Sequence, residues 1–257
     1  MTNERKQRIG LGRRRIAAVA VFAVWAGASQ VCAETAIIAV ATNFKPVAET
    51  LRPVFEAQST HQITIAAGST GKLAAQIASG APFDLFLAAD DTTPARLITE
   101  GNAIAGSARS YATGALVLWA RGKPIDDPVA ALSNARHIAI ANPALAPYGA
   151  AAREVLQKVG RWDALQPRLV IGENVGQTAQ FVTSGAAPLG LLPRSLVLEA
   201  RRTTPGSGWE IPAAWHSPIL QSAVLLNRGR DNAAARGFLQ YLRTAGPRAR
   251  IRAFGYD

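Results

Sequence analysis

The chain has 257 residues, close to half of them apolar, a formal net charge of +11 at pH 7 and a single cysteine, Cys32. That length supports a good hydrophobic core in one or two domains. One cysteine excludes an internal disulfide framework.

The first 33 residues read as an export leader. Arg5, Lys6, Arg8, Arg13, Arg14 and Arg15 precede an apolar run from Ile16 to Ala28, and Val31-Cys32-Ala33 fits small-x-small cleavage after Ala33. The run is too short, and its flanks too one-sided, for a membrane anchor. The expected location is therefore the periplasm. Removing this segment takes the only cysteine with it, so no thiolate ligand or cysteine nucleophile is expected in the mature chain. It also leaves 22 basic and 16 acidic residues, a net of +6. Such a modest positive field suits capture of an anion, while a nucleic-acid partner is not expected without a dense basic patch.

Beyond the leader, Ala36 to Val40 reads as a buried strand, followed by Thr42-Asn43 and a helix with Val47, Leu51, Val54 and Phe55 on one face. Pro46 suits its first turn, whereas Pro53 predicts a kink or break. Residues 62–66 form a second strand and Lys72 to Ser79 a helix. Asp84 to Ala88 is a third strand, and its helix ends at Gly101. Thr113 to Ala120 reads as one further strand. The alternation then restarts: strand 138–141, helix from Tyr148 to Val159, strand 169–171, a helix with Thr178 and Phe181, and a short strand 189–192. Residues 205–218 read as loop, 219–226 as a closing strand, and 231–244 and 247–254 as terminal helices. Strand–helix alternation predicts an α/β fold of two lobes, each a mostly parallel sheet flanked by helices, with the ligand cleft between them at the strands' carboxyl ends. The expected lobes are 34–115 with 217–257, and 116–216.

The stretch Ala66-Ala67-Gly68-Ser69-Thr70-Gly71-Lys72-Leu73 joins a strand to a helix start, where unpaired N–H groups and the helix dipole favour an anion. A nucleotide-binding P-loop is excluded, because Ala66 stands where its first glycine belongs and Leu73 where it needs Ser or Thr. Four such junctions, 41–44, 68–71, 147–149 and 173–176, could face one cleft. They carry Thr42, Asn43, Ser69, Thr70, Tyr148 and the backbone at Val175, which are neutral donors. Donors alone suit a fully deprotonated oxyanion of the sulfate or molybdate type; the P–OH of hydrogen phosphate would find no acceptor.

These residues carry a resemblance. Ala41-Thr42-Asn43-Phe44, the run from Ala67 to Ile77 followed by Gly80-Ala81-Pro82-Phe83-Asp84, Pro147-Tyr148-Gly149, Glu173-Asn174-Val175 and Phe254-Gly255-Tyr256 resemble, in order, the periplasmic molybdate-binding proteins of ABC transporters. The resemblance implies a type II periplasmic-binding-protein fold that closes over molybdate or tungstate and presents it to an inner-membrane ABC permease, as a monomer and without a cofactor. It implies Thr42, Asn43, Ser69, Tyr148 and Val175 as ligand contacts, with no cation-binding metal site. Relatives with a small residue at the position of Tyr148 bring a tyrosine from the segment matching 191–195, where this chain has Pro193 and Arg194, so the donor from that segment stays open.

The plainer roles are a helix N-cap for Ser69, a turn for Thr42 and Asn43, and capping or inter-lobe contacts for Asp84, Asp90 and Asp91. Lys72 reads as a solvated helix residue. An exported hydrolase would need a nucleophile, a base and an orienting acid. Of the histidines, His61 and His137 directly precede strands and His216 lies in a loop, with no G-x-S-x-G, HExxH or Cys–His arrangement. No enzymatic or catalytic residue is expected.

Overall fold

The computed structural model describes Thr2 and residues 33–122 and 124–257. Apart from Thr2 and Ala33, the expected leader lies outside the described residues. Among those described, no helix is long and apolar enough to cross a membrane.

The first sheet has the order β2-β1-β3-β10-β4, formed by β1 (Thr35–Ala41), β2 (Gln62–Gly68), β3 (Leu85–Leu87), β4 (Arg109–Gly114) and β10 (Ile219–Leu225). β1 runs parallel to both β2 and β3, while β10 is antiparallel to β3 and β4. From Ile38 to Ala41 every β1 residue is buried, as expected for a strand covered on both faces. Helices α1 (Lys45–Gln58), α2 (Thr70–Ala78), α3 (Thr92–Thr99), α9 (Ala233–Tyr241) and α10 (Ala245–Ala253) flank it.

The second sheet repeats the plan, with order β7-β6-β8-β5-β9: β5 (Leu116–Arg121), β6 (Ile138–Ala141), β7 (Leu169–Gly172), β8 (Leu189–Pro193) and β9 (Gly206–Glu210). β6 is parallel to β7 and β8, and β5 is antiparallel to β8 and β9. Helices α4 (Pro128–Asn134), α5 (Pro147–Lys158), α6 (Trp162–Leu165), α7 (Val175–Thr183) and α8 (Arg194–Ala200) accompany it. The fold is the expected two-lobed α/β arrangement, each sheet mixed because one strand, β10 in the first and β5 in the second, runs against the other four.

Four local expectations are corrected. The apolar run 113–120 is two strands in two sheets, parting at Ala115. Thr113-Gly114, the end of β4, leads into apolar β5 with no turn signal between them, so the run hid the change of sheet. Residues 206–210, expected as loop, pair as edge strand β9, and the glycines there serve close approach. A Cβ on Gly206 would lie 2.7 Å from Trp119 Nε1, and one on Gly208 2.9 Å from Val117 Cγ1. α1 continues through Pro53 to Gln58; Pro53 is exposed, so water can solvate the carbonyl its ring deprives of a donor. α2 begins at Thr70, two residues earlier than expected.

Candidate functional site

The carboxyl ends of β1, β2 and β3 in one lobe meet those of β6 and β7 in the other around a cavity of about 10 Å³. Thr42, Asn43, Ser69, Thr70 and Ala89 line it from the first lobe, and Ala146, Pro147, Tyr148, Asn174 and Val175 from the second. All four junctions singled out in the sequence converge here, together with Ala89 after β3. A cavity this small admits about one water-sized occupant and has no room for an organic substrate.

Hydrogen-bond accounting at each junction shows which amides are left over. After β1, Thr42 N–H donates to Gly68 O, Phe44 N–H to Ala41 O and Lys45 N–H to Thr42 O, leaving Asn43 N–H. At α7, Asn174 Oδ1 accepts from Gly176 and Gln177 N–H, and Thr178 N–H goes to Asn174 O, leaving Val175 N–H. At α5, Pro147 has no N–H, and Gly149 and Ala150 donate to Ala146 O, leaving Tyr148 N–H. At α2, Gly71 N–H reaches across to Leu145 O at 2.8 Å, leaving the first amide, Thr70, with no acceptor inside its helix.

Ser69 is the most telling side chain. It holds the N-cap position of α2 with extended backbone, yet makes no capping bond. The residue is 5 % exposed, and its Oγ is a buried atom without a hydrogen-bond partner. Thr70 Oγ1, by contrast, is engaged by the Ala89 N–H at 3.0 Å. The plain capping role for Ser69 is therefore not performed, and the orphaned hydroxyl lines the cavity.

Beneath the cavity lies a buried polar network that the sequence reading missed. The Asn43 carboxamide does not act as a cavity donor: its Nδ2 donates to Gln221 Oε1 (2.8 Å) and to the Tyr256 hydroxyl (3.0 Å). Asn43 can therefore serve a ligand only through its N–H. Gln221 Nε2 donates to Tyr148 Oη at 3.2 Å, bridging the lobes. Tyr256 donates to Asn43 O at 2.7 Å and lies 3.0 Å from Ser195 Oγ, which in turn donates to Asn43 O at 3.2 Å. The segment 191–195 thus contributes Ser195, on the far side of Asn43 from the cavity. Burial raises the Tyr148 and Tyr111 hydroxyls well above their usual value and Tyr256 to about 12, so all three stay neutral. The one legible sign of this layer was Gln221, a lone amide in the apolar strand 219–226.

Other singled-out residues lie elsewhere. Lys72 is exposed, but its Nζ pairs with Glu173 across the cleft at 3.5 Å. Asp84 caps no helix and makes no inter-lobe contact; its Oδ2 accepts from Ile37 N–H and pairs with Arg228. Asp90 accepts from Thr93 N–H and hydroxyl at the start of α3, and burial raises its carboxyl. Arg194 pairs with Glu210 and Asp257, away from the cavity. His61 Nδ1 lies 3.3 Å from the Glu34 N–H before β1, at the opposite end of the sheet.

Comparison with known proteins places this geometry in context. The family described as bacterial extracellular solute-binding protein matches residues 36–257. The molybdate-binding protein ModA of Azotobacter vinelandii is 45 % identical over 244 residues, covering 92 % of this chain and 96 % of that protein. ModA of Rhodobacter capsulatus is 40 % identical over 252 residues, 97 % of each chain. The solved structure of an Azotobacter vinelandii periplasmic molybdate-binding protein superposes with a TM-score of 0.82 at 38 % identity, covering 86 % of this chain and 98 % of that one.

Proposed function

The chain belongs to the bacterial extracellular solute-binding proteins, and on that footing we propose that it captures molybdate between its two lobes and delivers it to an ABC permease. The observation that carries this reading is the buried, unpartnered Ser69 Oγ at the start of α2, facing a cavity whose other uncommitted groups also donate. Ser69 Oγ and the N–H groups of Asn43, Tyr148 and Val175 surround the ion, with the hydroxyls of Thr42 and Tyr148 beside them. Hydrogen bonds to a charged partner are worth about 1.5–3 kcal/mol each, so a set of this size offsets the cost of stripping the ion of water. No carboxylate or imidazole lines the cavity, which supports capture without chemistry. Tungstate has the same charge and shape and is expected to bind alike.

Capture then requires relative motion of the lobes, 34–115 with 217–257 against 116–216, about the crossing at Ala115 and the segment after β9. The protein works as a monomer in the periplasm, with its leader removed after Ala33. Identity of 45 % and 40 % to two ModA proteins over nearly their full lengths supports molybdate over sulfate. Calorimetry of the ligand-free protein against molybdate, tungstate, sulfate and phosphate tests the proposal. Tight, stoichiometric binding of molybdate and tungstate is expected; sulfate binding equally tightly would overturn the molybdate assignment, and turnover of an ester substrate would overturn the non-enzymatic reading.

A further inference from the structure

We propose that Gln221 sets the ligand preference of this cavity by fixing the Tyr148 hydroxyl as a donor, so that an oxyanion still carrying a proton is rejected. The inference rests on the oxyanion reading above and names the residue that enforces it.

The argument is a count of protons. Gln221 is fully buried in β10, beside a register shift between Gln221 and Ser222. Its Oε1 faces Asn43 Nδ2 at 2.8 Å and the Tyr111 hydroxyl at 3.1 Å. Its Nε2 therefore faces Tyr148 Oη. A phenol has one proton. With its oxygen accepting from Gln221, the hydroxyl of Tyr148, a residue lining the cavity, keeps one proton that no acceptor among the described residues takes. Gly114 makes the placement possible, since a Cβ there would lie 2.0 Å from Tyr148 Oη. Two residues of the first lobe thus hold a hydroxyl of the second in one orientation. Hydrogen phosphate offers a P–OH that needs an acceptor, and a Tyr148 oxygen held this way does not supply one. Molybdate and sulfate carry no such proton.

The test uses the full mature chain, with molybdate and inorganic phosphate as probes, in wild type, Gln221→Leu and Gln221→Glu. Freed of Gln221, the Tyr148 hydroxyl can rotate to accept, so Gln221→Leu should narrow the preference for molybdate over phosphate by about tenfold. In Gln221→Glu the carboxylate accepts a hydrogen bond from the Tyr148 hydroxyl and turns it away from the ligand, and molybdate binding at pH 8 should weaken by about tenfold or more. Burial raises that carboxyl, so protonation toward pH 6 restores a donor to Tyr148 and should recover affinity, while wild type changes little. The titratable groups around position 221 are Tyr111, Tyr148 and Tyr256, neutral over this span because burial raises them, with Asp90 beyond Tyr111 and the Arg194 guanidinium acting on Tyr148. A packing defect alone would shift neither the ratio nor the pH profile. If Gln221→Leu does not fold, the near-isosteric Gln221→Glu carries the test. Wild type that fails to bind molybdate overturns the functional reading and this inference with it. Wild type that binds, alongside variants with unchanged preference and a flat pH profile, or tighter molybdate binding in Gln221→Leu, overturns the inference alone.

Discussion

Ser195 Oγ, at the start of α8 in the second lobe, donates at 3.2 Å to the carbonyl oxygen of Asn43, a residue of the first lobe that lines the cavity. Asn43 is thus tethered to the opposite lobe through its carbonyl, and Tyr256 braces the same carbonyl at 2.7 Å. Parting of the lobes as proposed above would break this contact. Ser195→Ala should therefore weaken molybdate binding by about 0.5–1.5 kcal/mol, chiefly through faster dissociation, because opening no longer breaks this bond. Stopped-flow measurement of release decides it; an unchanged off-rate would assign Ser195 to packing alone.

Ser69→Ala should cost about 1–3 kcal/mol of binding, the loss of a buried donor to a charged ligand. The melting temperature of the ligand-free protein should hardly move, since Ser69 Oγ makes no bond within the chain. Calorimetry and thermal melts together separate this result from the loss of a helix cap, which would lower stability by about 1 kcal/mol.

Gly71 sits where α2 meets the second lobe, and a Cβ there would lie 3.0 Å from Leu145 O and 3.1 Å from Leu145 Cα. Backbone cannot swing aside as a side-chain tip can. Gly71→Ala should favour helix in the separated lobes while opposing their approach. Small-angle scattering should show less compaction on adding molybdate than wild type shows.

The exposed Lys72–Glu173 pair, 3.5 Å apart, should matter little despite bridging the cleft. Lys72→Ala is expected to change affinity by less than about 1 kcal/mol, an effect that shrinks in high salt. A larger loss measured by calorimetry would place Lys72 among the ligand-steering charges.

Tyr111, Tyr148 and Tyr256 have raised pKa values in the folded protein, Tyr256 at about 12 against an ordinary 10. Between those values the folded chain holds protons the unfolded chain has lost, so stability is intact below pH 10 and falls as pH rises toward 12. Denaturant unfolding followed across that window should show the decline, and Tyr256→Phe should make it shallower.

The alternation of apolar strands with helical segments follows from side-chain periodicity alone, which is why the two-lobed α/β plan and the order of its elements were readable from the chain. So were the four junctions: Thr42-Asn43, Ser69-Thr70, Tyr148 and Val175 stand at strand-to-helix turns, and a helix start exposes N–H groups whatever surrounds it. Tertiary structure decided the rest. Whether Ser69 caps α2 or leaves its hydroxyl free depends on backbone and cavity geometry, and its Oγ is free. The single strand expected over 113–120 is two strands in two sheets, because Thr113-Gly114 at the end of β4 runs into apolar β5 with no turn signal between them. Asn43, Gln221 and Tyr256 lie up to 213 residues apart and meet only when both termini of the first lobe fold onto one sheet. A single chain carries no local signal for such a contact. Local patterning determined where an anion could be held, and long-range packing decided which of those groups remain free to hold it.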